Sequence, residues 1–597
     1  MNQETKKCQN CKKDFVIETD DFTFYEKTKV PTPTWCKECR LWRRLSYSNE
    51  RHLYQNVCGL CGQKIISMYP QETVFPVYCF DCYRGDNWDP LSYGKDYDFS
   101  KTFFEQFREL KNKVPRAERV VQGDLMGNNY CNRASYNKNS YLLVRANYNE
   151  NSFYSYNLWD CKDSSDCLNA HRSELAYECI DTVDCYHIQY AQECRQCRDS
   201  IFIFDCRNCV DCVGCAGLRN KQYYILNQPH TKEEYKKELE KLNLDTRDGL
   251  EIFSDKFKEL LKSAIRESAI FTNCVNSTGN WLIDCKNVEN SYQSRKVEDG
   301  KNLLSIVEAK DCMDYSYWGR ATELVYETTN CGYNCSRIRF ANESWDSCHD
   351  LTYCDNCYGS GNLFGCVGIR KGEYCILNKQ YTKGEYEEIV PKIISHMKDM
   401  PYKDKKGRVY AFGEYFPPEF SASAYNTSLG FEYFPLTQKE TIAEGLQWED
   451  KKDKEYKTTI SWKDLPKKIT DVKDDILKET ILCQAYDKQG VEVIKGHNCA
   501  KAFKITKDEL AFYKRMNIPL PQDCPNTRHF KRFIKRNPLK LWKRQCMCGS
   551  VNSPQVIKNT AEHFHGGKPC PNEFETSYAS DRPEIVYCEQ CYQQEVV

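Results

Sequence analysis

Eight cysteines near the N-terminus stand in four pairs, and two residues separate the members of each pair. The pairs are Cys8/Cys11, Cys36/Cys39, Cys58/Cys61 and Cys79/Cys82. A CxxC turn places two thiolates on one side of a metal ion, and two such turns complete the tetrahedral sulfur site that zinc prefers. Because protein side chains would fill all four positions of each site, we expect structural zinc and no catalytic role for it.

The C-terminal part of the chain repeats this module at a constant offset. Shared cysteines at that offset are Cys11 with Cys499, Cys36 with Cys524 and Cys58 with Cys546. After an insertion in the second copy, the string VYCxxCY at residues 77–83 recurs at 586–592. The chain therefore carries two related zinc modules.

The cysteine pairs could form consecutive ribbons or an interleaved cross-brace. In the second copy, Gly496 and Thr527 stand at the positions of Cys8 and Cys39. Consecutive pairing puts both losses in one site, whereas interleaving would damage two sites. We therefore predict consecutive ribbons and about three zinc ions, two in the N-terminal module and one in the second copy. The predicted ligands of the third ion are Cys546, Cys548, Cys588 and Cys591.

Other possible ligands in the second copy leave alternatives open. Cys499 and Cys524 would form a relic site without metal, unless His497 or His529 completes it. The insertion contains three further candidates, for which a solvated loop is the simpler interpretation. These are His563, His565 and Cys570.

The middle of the chain contains a second duplication. The string GCAGLR at residues 214–219 matches GCVGIR at 365–370. All cysteines from Cys131 to Cys215 are separated by multiples of three, a period that neither an α-helix nor an ordinary strand has. A β-solenoid with short straight edges returns equivalent positions to one inner wall. We predict two such solenoids, at about residues 125–230 and 272–381.

These elements predict a mainly β fold with two cysteine-rich β-solenoids in tandem, flanked by the zinc modules. T-x-x-E capping boxes at Thr231 and Thr382 predict short helices that cover the ends of the solenoids. The predicted segments are tandem ribbons at 1–90, a helical linker at 91–124, helical caps at 231–271 and 382–400, an extended tether and helix at 401–482, and the second zinc module, with one degenerate site, at 483–597. The helix of the tether is expected from Pro466 to Leu482.

The run of Cys206, Cys209, Cys212 and Cys215 is similar to an iron–sulfur motif, but its spacing differs from the ferredoxin pattern. The second copy has Ser360 and Leu363 at the places of Cys209 and Cys212. A position that accepts leucine is more simply a packing position, so we interpret these thiols as structural. His171, His187 and His349 are interpreted as wall residues in the same way.

A basic segment lies in the second zinc module, with eight cations and no acid. Its i,i+4 cations on one helical face repel each other, so a polyanion is a natural partner, although a solvated face is the alternative. Proline at 538 is expected to end that helix. The N-terminal module has a weaker version in Arg40, Arg43, Arg44 and Arg51. The eight cations of the basic segment in the second module are Arg528, Lys531, Arg532, Lys535, Arg536, Lys540, Lys543 and Arg544.

Composition limits the other possibilities. The 597 residues carry 85 Lys and Arg against 85 Asp and Glu, so any polyanion must meet a local patch. A polar start and 37 cysteines in CxxC-rich surroundings predict no secretory leader and a cytoplasmic protein with reduced thiols. There is no apolar run long enough for a membrane helix, so no membrane partner is expected. P-loop, GxGxxG and HExxH motifs are absent from the sequence, so we expect no enzyme.

The strings CxxCxxDF, VPTPxxCxxCRLWRR and VYCxxCY, together with the Cys/Tyr-rich middle, resemble uncharacterised zinc-ribbon proteins of candidate-phylum bacteria. The resemblance implies a cytoplasmic bacterial protein with zinc ribbons and supplies no catalytic residues. We expect a non-enzymatic zinc scaffold that binds RNA or a ribonucleoprotein through basic ribbon surfaces. The alternatives are a protein-interaction scaffold with purely structural zinc, and a redox or iron–sulfur protein that uses the central thiols.

Overall fold

The computed structural model describes residues 3–123, 128, 130–450, 456–549, 559–566 and 568–597. Strands occupy more of the described chain than helices do, and most strand pairs are parallel. The chain forms two compact units, each assembled from two separate segments. The first unit comprises residues 1–119 and 269–450, and the second comprises residues 120–268 and 451–597.

The second unit contains the first parallel-strand region, residues 121–229. Successive strands pair at a constant interval, so that Tyr156 lies opposite Leu168 and Leu168 opposite Ile180. The strands are Val121–Gln122, Asn132–Ser135, Val144–Asn147, Tyr156–Trp159, Leu168–His171, Glu174–Tyr177, Ile180–Val183, Tyr186–Gln189, Arg198–Phe204, Val210–Ala216, Gln222–Ile225 and Gln228–Pro229.

A left-handed backbone conformation recurs at every third residue of this region. From Arg133 to Leu226 each third residue has a positive φ, as at Asp163, where φ is 47°, and Asp166, where it is 56°. Asn and Asp tolerate this conformation better than other side chains do, which explains their frequency in the region. From Ala134 to Cys215, the residue after each such corner is buried. Cys, Ala and Ser occupy most of these buried positions, so the cysteines acquire their period of three.

The first unit contains the second parallel-strand region, residues 271–380. Pairing is less regular here: Val297 lies opposite Ala309, at the same interval as in the first region, but Ala309 lies opposite Thr322, one residue further along. The strands are Phe271–Thr272, Val275–Asn280, Leu282–Ile283, Lys286–Tyr292, Val297–Lys301, Ala309–Ser316, Thr322–Cys331, Ser336–Arg339, Asn342–Trp345, His349–Thr352, Asp355–Tyr358, Gly361–Phe364, Glu373–Ile376 and Lys379–Gln380.

Helices follow both regions, as the capping boxes predicted. The hydroxyls of Thr231 and Thr382 accept hydrogen bonds from the backbone N–H groups of Glu234 and Glu385, and each glutamate accepts a bond in return. The helices are Lys232–Lys241 and Arg247–Ser263 after the first region and Lys383–Asp399 after the second. Phe253 packs over Gly214, whose φ is +66°; a Cβ there would lie 2.6 Å from the Phe253 ring. Glycine is therefore required at this contact.

The two cysteine-rich modules predicted to bind zinc consist of small hairpins and short helices. In the first unit the strands are Glu4–Lys7, Asp14–Ile17, Tyr54–Val57, Lys64–Ser67, Val77–Tyr78 and Arg116–Ala117, and the helices are Thr19–Thr28, Lys37–Leu45, Phe80–Arg84 and Phe103–Lys111. In the second unit the strands are Ile265–Glu267, Ile481–Leu482, Ala502–Phe503, Trp542–Gln545, Glu573–Thr576 and Ile585–Tyr587, and the helices are Gln484–Gln489, Val491–His497, Lys507–Met516, Pro525–Phe533 and Glu589–Val596.

The segment predicted as an extended tether and helix contains several short elements. Residues 401–450 belong to the first unit, with strands Tyr402–Lys403 and Val409–Tyr410 and helices Leu429–Tyr433 and Gln438–Ala443. The helix expected from Pro466 to Leu482 is wrong: two 3₁₀ turns, Ile469–Asp471 and Asp474–Lys478, precede the strand Ile481–Leu482. The predicted linker at 91–124 has a single α-helix, Phe103–Lys111, among its described residues.

Candidate metal centres

The first cysteine group joins a hairpin to a helix N-terminus. Cys8 and Cys11 lie in the turn after Glu4–Lys7, where Lys12 has a φ of 63°, and Cys36 caps the helix that contains Cys39. The sulfurs of Cys11 and Cys36 are 3.7 Å apart. Zinc–sulfur bonds of about 2.3 Å at tetrahedral angles place two sulfurs about 3.8 Å apart, so the four thiols fit one zinc ion.

The second group repeats this arrangement with Cys58, Cys61, Cys79 and Cys82. Cys79 caps the helix Phe80–Arg84, and the sulfurs of Cys61 and Cys79 are 3.9 Å apart. Burial raises the pKa of Cys58, but the backbone N–H groups of Cys61 and Cys79 outweigh burial and lower this pKa to about 6. A thiol that is ionised at neutral pH is ready to bind a metal. Both groups follow the consecutive pairing of the N-terminal cysteines and not the interleaved one.

In the second module one predicted ligand is replaced. Cys570 lies with Cys546, Cys588 and Cys591, while Cys548 belongs to another group. The sulfurs of Cys570 and Cys588 are 3.9 Å apart, the same separation as between Cys61 and Cys79. The predicted set of Cys546, Cys548, Cys588 and Cys591 is therefore wrong in one member. The chain returns to the group at Cys570, at the end of the insertion. Cys548 is closer to Cys546 in sequence but is not part of this group.

A fourth group consists of Cys548, His563, His565 and Cys591. The Cys548 sulfur lies 3.3 Å from His563 Nδ1 and 3.2 Å from His565 Nε2. Both histidines were assigned to a solvated loop from the sequence, yet His563 is buried. The signal that could have identified them was present, since HxH and a cysteine within one insertion are typical zinc ligands.

A fifth group contains Cys483, Cys499 and Cys524, all buried. Cys483 takes the place of Cys8: the backbone N–H of Cys524 donates to its sulfur at 3.2 Å, as that of Cys36 donates to Cys8 at 3.3 Å. The site predicted to be a relic therefore has three thiols. No CxxC spacing marks Cys483, because the helices Gln484–Gln489 and Val491–His497 separate it from Cys499.

The fourth corner of this group holds a hydroxyl. Thr527 Oγ1 lies 3.3 Å from the Cys524 sulfur, at the position that corresponds to Cys39. His529 is outside the group and packs against Tyr156 and Phe533. The side chain of His497, the other residue considered for this site, lies outside the described part of the chain.

The basic segment divides into an inner and an outer set. Arg532 is buried and contacts Asp166 at 2.9 Å and Glu178 at 2.6 Å, and Arg528 contacts Asp166 at 3.1 Å. Both acids lie at left-handed corners of the parallel-strand region in the same unit. Arg536 reaches Asp181 in the same way, at 3.3 Å, and Arg544 donates to two backbone carbonyls. The outer set is exposed and consists of Lys531, Lys535, Lys540 and Lys543.

This geometry corrects the predicted nucleic-acid surface. The helix is Pro525–Phe533, which ends before Pro538 is reached, and its arginines face carboxylates of the protein itself. The N-terminal module uses its arginines similarly: Arg40 and Arg44 both contact Asp314, and Arg43 contacts Glu327 and Glu414. The acids that pair with these arginines belong to distant segments of the chain, so the local excess of positive charge in the sequence could not reveal them.

The thiols of the parallel-strand regions are satisfied by the backbone. The sulfur of Cys161 donates to the carbonyl of Trp159 at 3.5 Å and of Ala170 at 3.2 Å, and other inward cysteines repeat this pattern. Among the described residues, none of these thiols belongs to a group that could hold a metal. His171 and His187 contact Asn169 and Asp199, respectively, and His349 contacts Asp350.

No protein-family model and no curated protein matches the chain. Among solved structures, one from Desulfovibrio desulfuricans G20, described as a "putative acetyltransferase", aligns over 50% of this chain and 76% of its own, at 9% identity and a TM-score of 0.11. A likeness this weak carries no argument about fold or activity. Within the described residues, every helix falls short of the length and apolar character needed to cross a membrane.

Proposed function

We propose that the protein is a non-enzymatic scaffold in which two β-solenoids are each clamped by a zinc-stabilised module. The solenoid interpretation is supported by parallel pairing at a constant interval and by a left-handed corner at every third residue. A chain that turns through four short sides per repeat, as a coiled repeat protein does, would have both features.

Zinc as the metal is supported by the ligands. Four groups present four protein ligands each, all sulfur or mixed sulfur and imidazole, at separations that suit tetrahedral zinc. Such sites leave no position for a substrate, so their role is to hold hairpins and helix ends together. The central thiols, which donate to carbonyls, do not support the iron–sulfur alternative.

The observation that carries the proposal is the use of arginines as internal clamps. Arg528 and Arg532 meet Asp166 in one unit, and Arg40 and Arg44 meet Asp314 in the other. Charges buried in such pairs are unavailable to a polyanion. This favours a protein-interaction scaffold, in which solenoid walls present the binding surface and zinc has a purely structural role.

Metal removal from the full-length protein tests this proposal. Elemental analysis should find zinc without iron, and stripping the zinc with a mercurial reagent and a chelator should raise hydrogen exchange in both modules and in the strands around Asp166 and Asp314. The inward cysteine columns far from the modules should stay protected and serve as the internal control. Iron with visible absorbance, or unchanged exchange at the two aspartates, would contradict the clamp.

Nucleic-acid binding remains a second candidate because four lysines of the basic segment are exposed. Binding through phosphate contacts should weaken with salt, with a slope in log K of about 0.7 per contact for single strands. Fluorescence anisotropy of a single-stranded RNA at low salt, with wild type and a variant carrying Lys531, Lys535, Lys540 and Lys543 reversed to glutamate, separates the candidates. Equal anisotropy for both proteins leaves the protein-interaction scaffold as the explanation.

A further inference from the structure

Two of the five groups in the described part of the protein share one ligand. Cys591 lies within 4.8 Å of every ligand atom in the group with Cys546, Cys570 and Cys588 and in the group with Cys548, His563 and His565. Its sulfur is 3.5 Å from His565 Nε2. The helix Glu589–Val596 therefore presents a single thiol to two tetrahedral sets at once.

Each set is complete only if it includes Cys591. Without it, the first would have three thiolates and the second one thiolate and two imidazoles. A thiolate has lone pairs enough to bind two metal ions, and five thiolates reduce the charge of two Zn²⁺ ions to a net −1. If a single ion filled the all-cysteine set, Cys548 and His563, which are both buried, would face each other without a metal.

Outer contacts orient the ligands of the second set. Glu595 lies 2.9 Å from His563 Nε2, which leaves Nδ1 directed at Cys548. The Asn559 amide donates to the Cys548 sulfur at 3.1 Å. A carboxylate behind a histidine and an amide donor on a thiolate are the supports that metal ligands require. The position of Glu595 is fixed in turn, because it accepts hydrogen bonds from Thr560 and Ala561.

We propose that this module binds a binuclear zinc cluster in which Cys591 bridges the two ions. The inference rests on the proposed function for the identity of the metal. The N-terminal module offers the matched contrast, since Cys82 holds the corresponding place after Cys79 and belongs to one group alone. The insertion after Cys548 thus converts a mononuclear ribbon into a binuclear one.

Zinc stoichiometry of full-length variants tests the bridge. Cys82→Ser should lose one zinc per chain, whereas Cys591→Ser should lose two, and a double His563→Ala, His565→Ala variant should lose one. Equal losses from the Cys82 and Cys591 variants would overturn the bridge while leaving the proposed function intact. A wild-type protein without zinc would instead overturn the proposed function.

A second measurement does not depend on how the variants fold. In wild-type protein exchanged with ¹¹³Cd, a bridging thiolate should split two cadmium resonances by mutual coupling. Two uncoupled resonances in this module, or one resonance, would overturn the proposal.

Discussion

The two units use the same clamp beside different sets of candidate metal ligands. In each, one helix of the module places two arginines four residues apart on one buried carboxylate: Arg40 and Arg44 on Asp314, and Arg528 and Arg532 on Asp166. The ligands around these helices have changed, with Cys483 for Cys8 and Thr527 for Cys39. The comparison teaches that the contact between module and parallel strands is the same in both units even though the candidate metal ligands beside it differ.

A second contact is also shared. Arg370 donates to the carbonyl of Tyr83 at 2.9 Å, and Arg219 donates to the hydroxyl of Tyr592 at 2.6 Å. Both arginines end the repeated GC-x-G-x-R strings, and both tyrosines follow the last cysteine of a ribbon. In each unit the arginine of this repeated string therefore adds a contact between the module and the parallel strands to the one made by the clamp.

The largest effect is expected from removing a ligand of a complete site. Cys36→Ser should release one zinc and destabilise the first unit by several kcal/mol, because ligand bonds supply much of the folding free energy of such modules. Elemental analysis and thermal unfolding would measure both. An unchanged zinc content would contradict the assignment of Cys36.

Breaking a clamp should have the next largest effect. Arg532→Met leaves Asp166 and Glu178 without this partner and should reduce the free energy of unfolding by about 3–5 kcal/mol. Arg44→Met tests the same contact in the first unit. The control is Arg172→Met, whose exposed pair with Asp184 should contribute at most about 1 kcal/mol. Denaturant unfolding measures the free energy of unfolding of each variant. Similar losses in all three would show that the buried arginine pairs contribute no more to stability than an exposed ion pair does.

Thr527 in the fifth group and Cys39 in the first group hold corresponding positions, so each residue can be replaced by the other. Thr527→Cys would restore the thiol found at Cys39 and should raise the zinc affinity of that site at least tenfold, since a fourth thiolate completes the tetrahedron. Cys39→Thr should lower the affinity of the first site correspondingly. Competition with a chromogenic chelator measures both changes. We expect the zinc affinity to rise in one variant and fall in the other. A change in the same direction in both would refute the equivalence of the two positions.

The units should also differ in their response to pH. Burial, together with Asp181 and Asp205, raises the pKa of Glu193 in the second unit to about 8, against about 4.3 in an unfolded chain. The folded state then holds a proton that the unfolded state has lost, so the free energy of unfolding falls as pH rises from about 4.3 to 8. In the first unit, burial opposes ionisation of Asp355, but Arg116 and Lys111 outweigh it and hold its pKa well below the usual range.

Denaturant unfolding at pH 5.5 and pH 8 measures this difference. The Glu193→Gln variant should lose the part of the second unit's pH dependence that Glu193 contributes, while the part from Glu267, whose pKa burial raises to about 7, persists. A variant that keeps the full wild-type slope would rule out Glu193 as its source.

The smallest effect is expected in the columns of thiols. Cys209 donates to the carbonyl of Arg207, two residues before it, and Ser360 donates to the carbonyl of Tyr358 in the same way. Cys209→Ser should therefore reduce stability by about 1 kcal/mol or less and leave metal content unchanged. Loss of iron or of a visible absorbance band on substitution would support a cluster instead.

Local patterns predicted much of this structure. The period of three, the capping boxes at Thr231 and Thr382, and the consecutive cysteine pairs all depend on residues close in the chain. Contacts between distant segments leave no such pattern, so Asp166 and Asp314 could not be matched with arginines from the sequence. For the same reason Cys483 and Cys570 were missed as ligands, since each reaches its site after a long excursion of the chain.

The discontinuous units have a consequence for synthesis. The N-terminal module, with Arg40 and Arg44, leaves the ribosome early, but the strand that carries Asp314 is made much later. The first parallel-strand region, which carries Asp166, is made between these two segments. The helix Pro525–Phe533, whose arginines pair with Asp166, is made after both parallel-strand regions. Exchange of partners between repeated segments is a characteristic error of repeat proteins. The arginines of the N-terminal module are therefore made before their carboxylate partners, and Glu414, which completes the pairing of Arg43, is made only after the strands that carry Asp314 and Glu327.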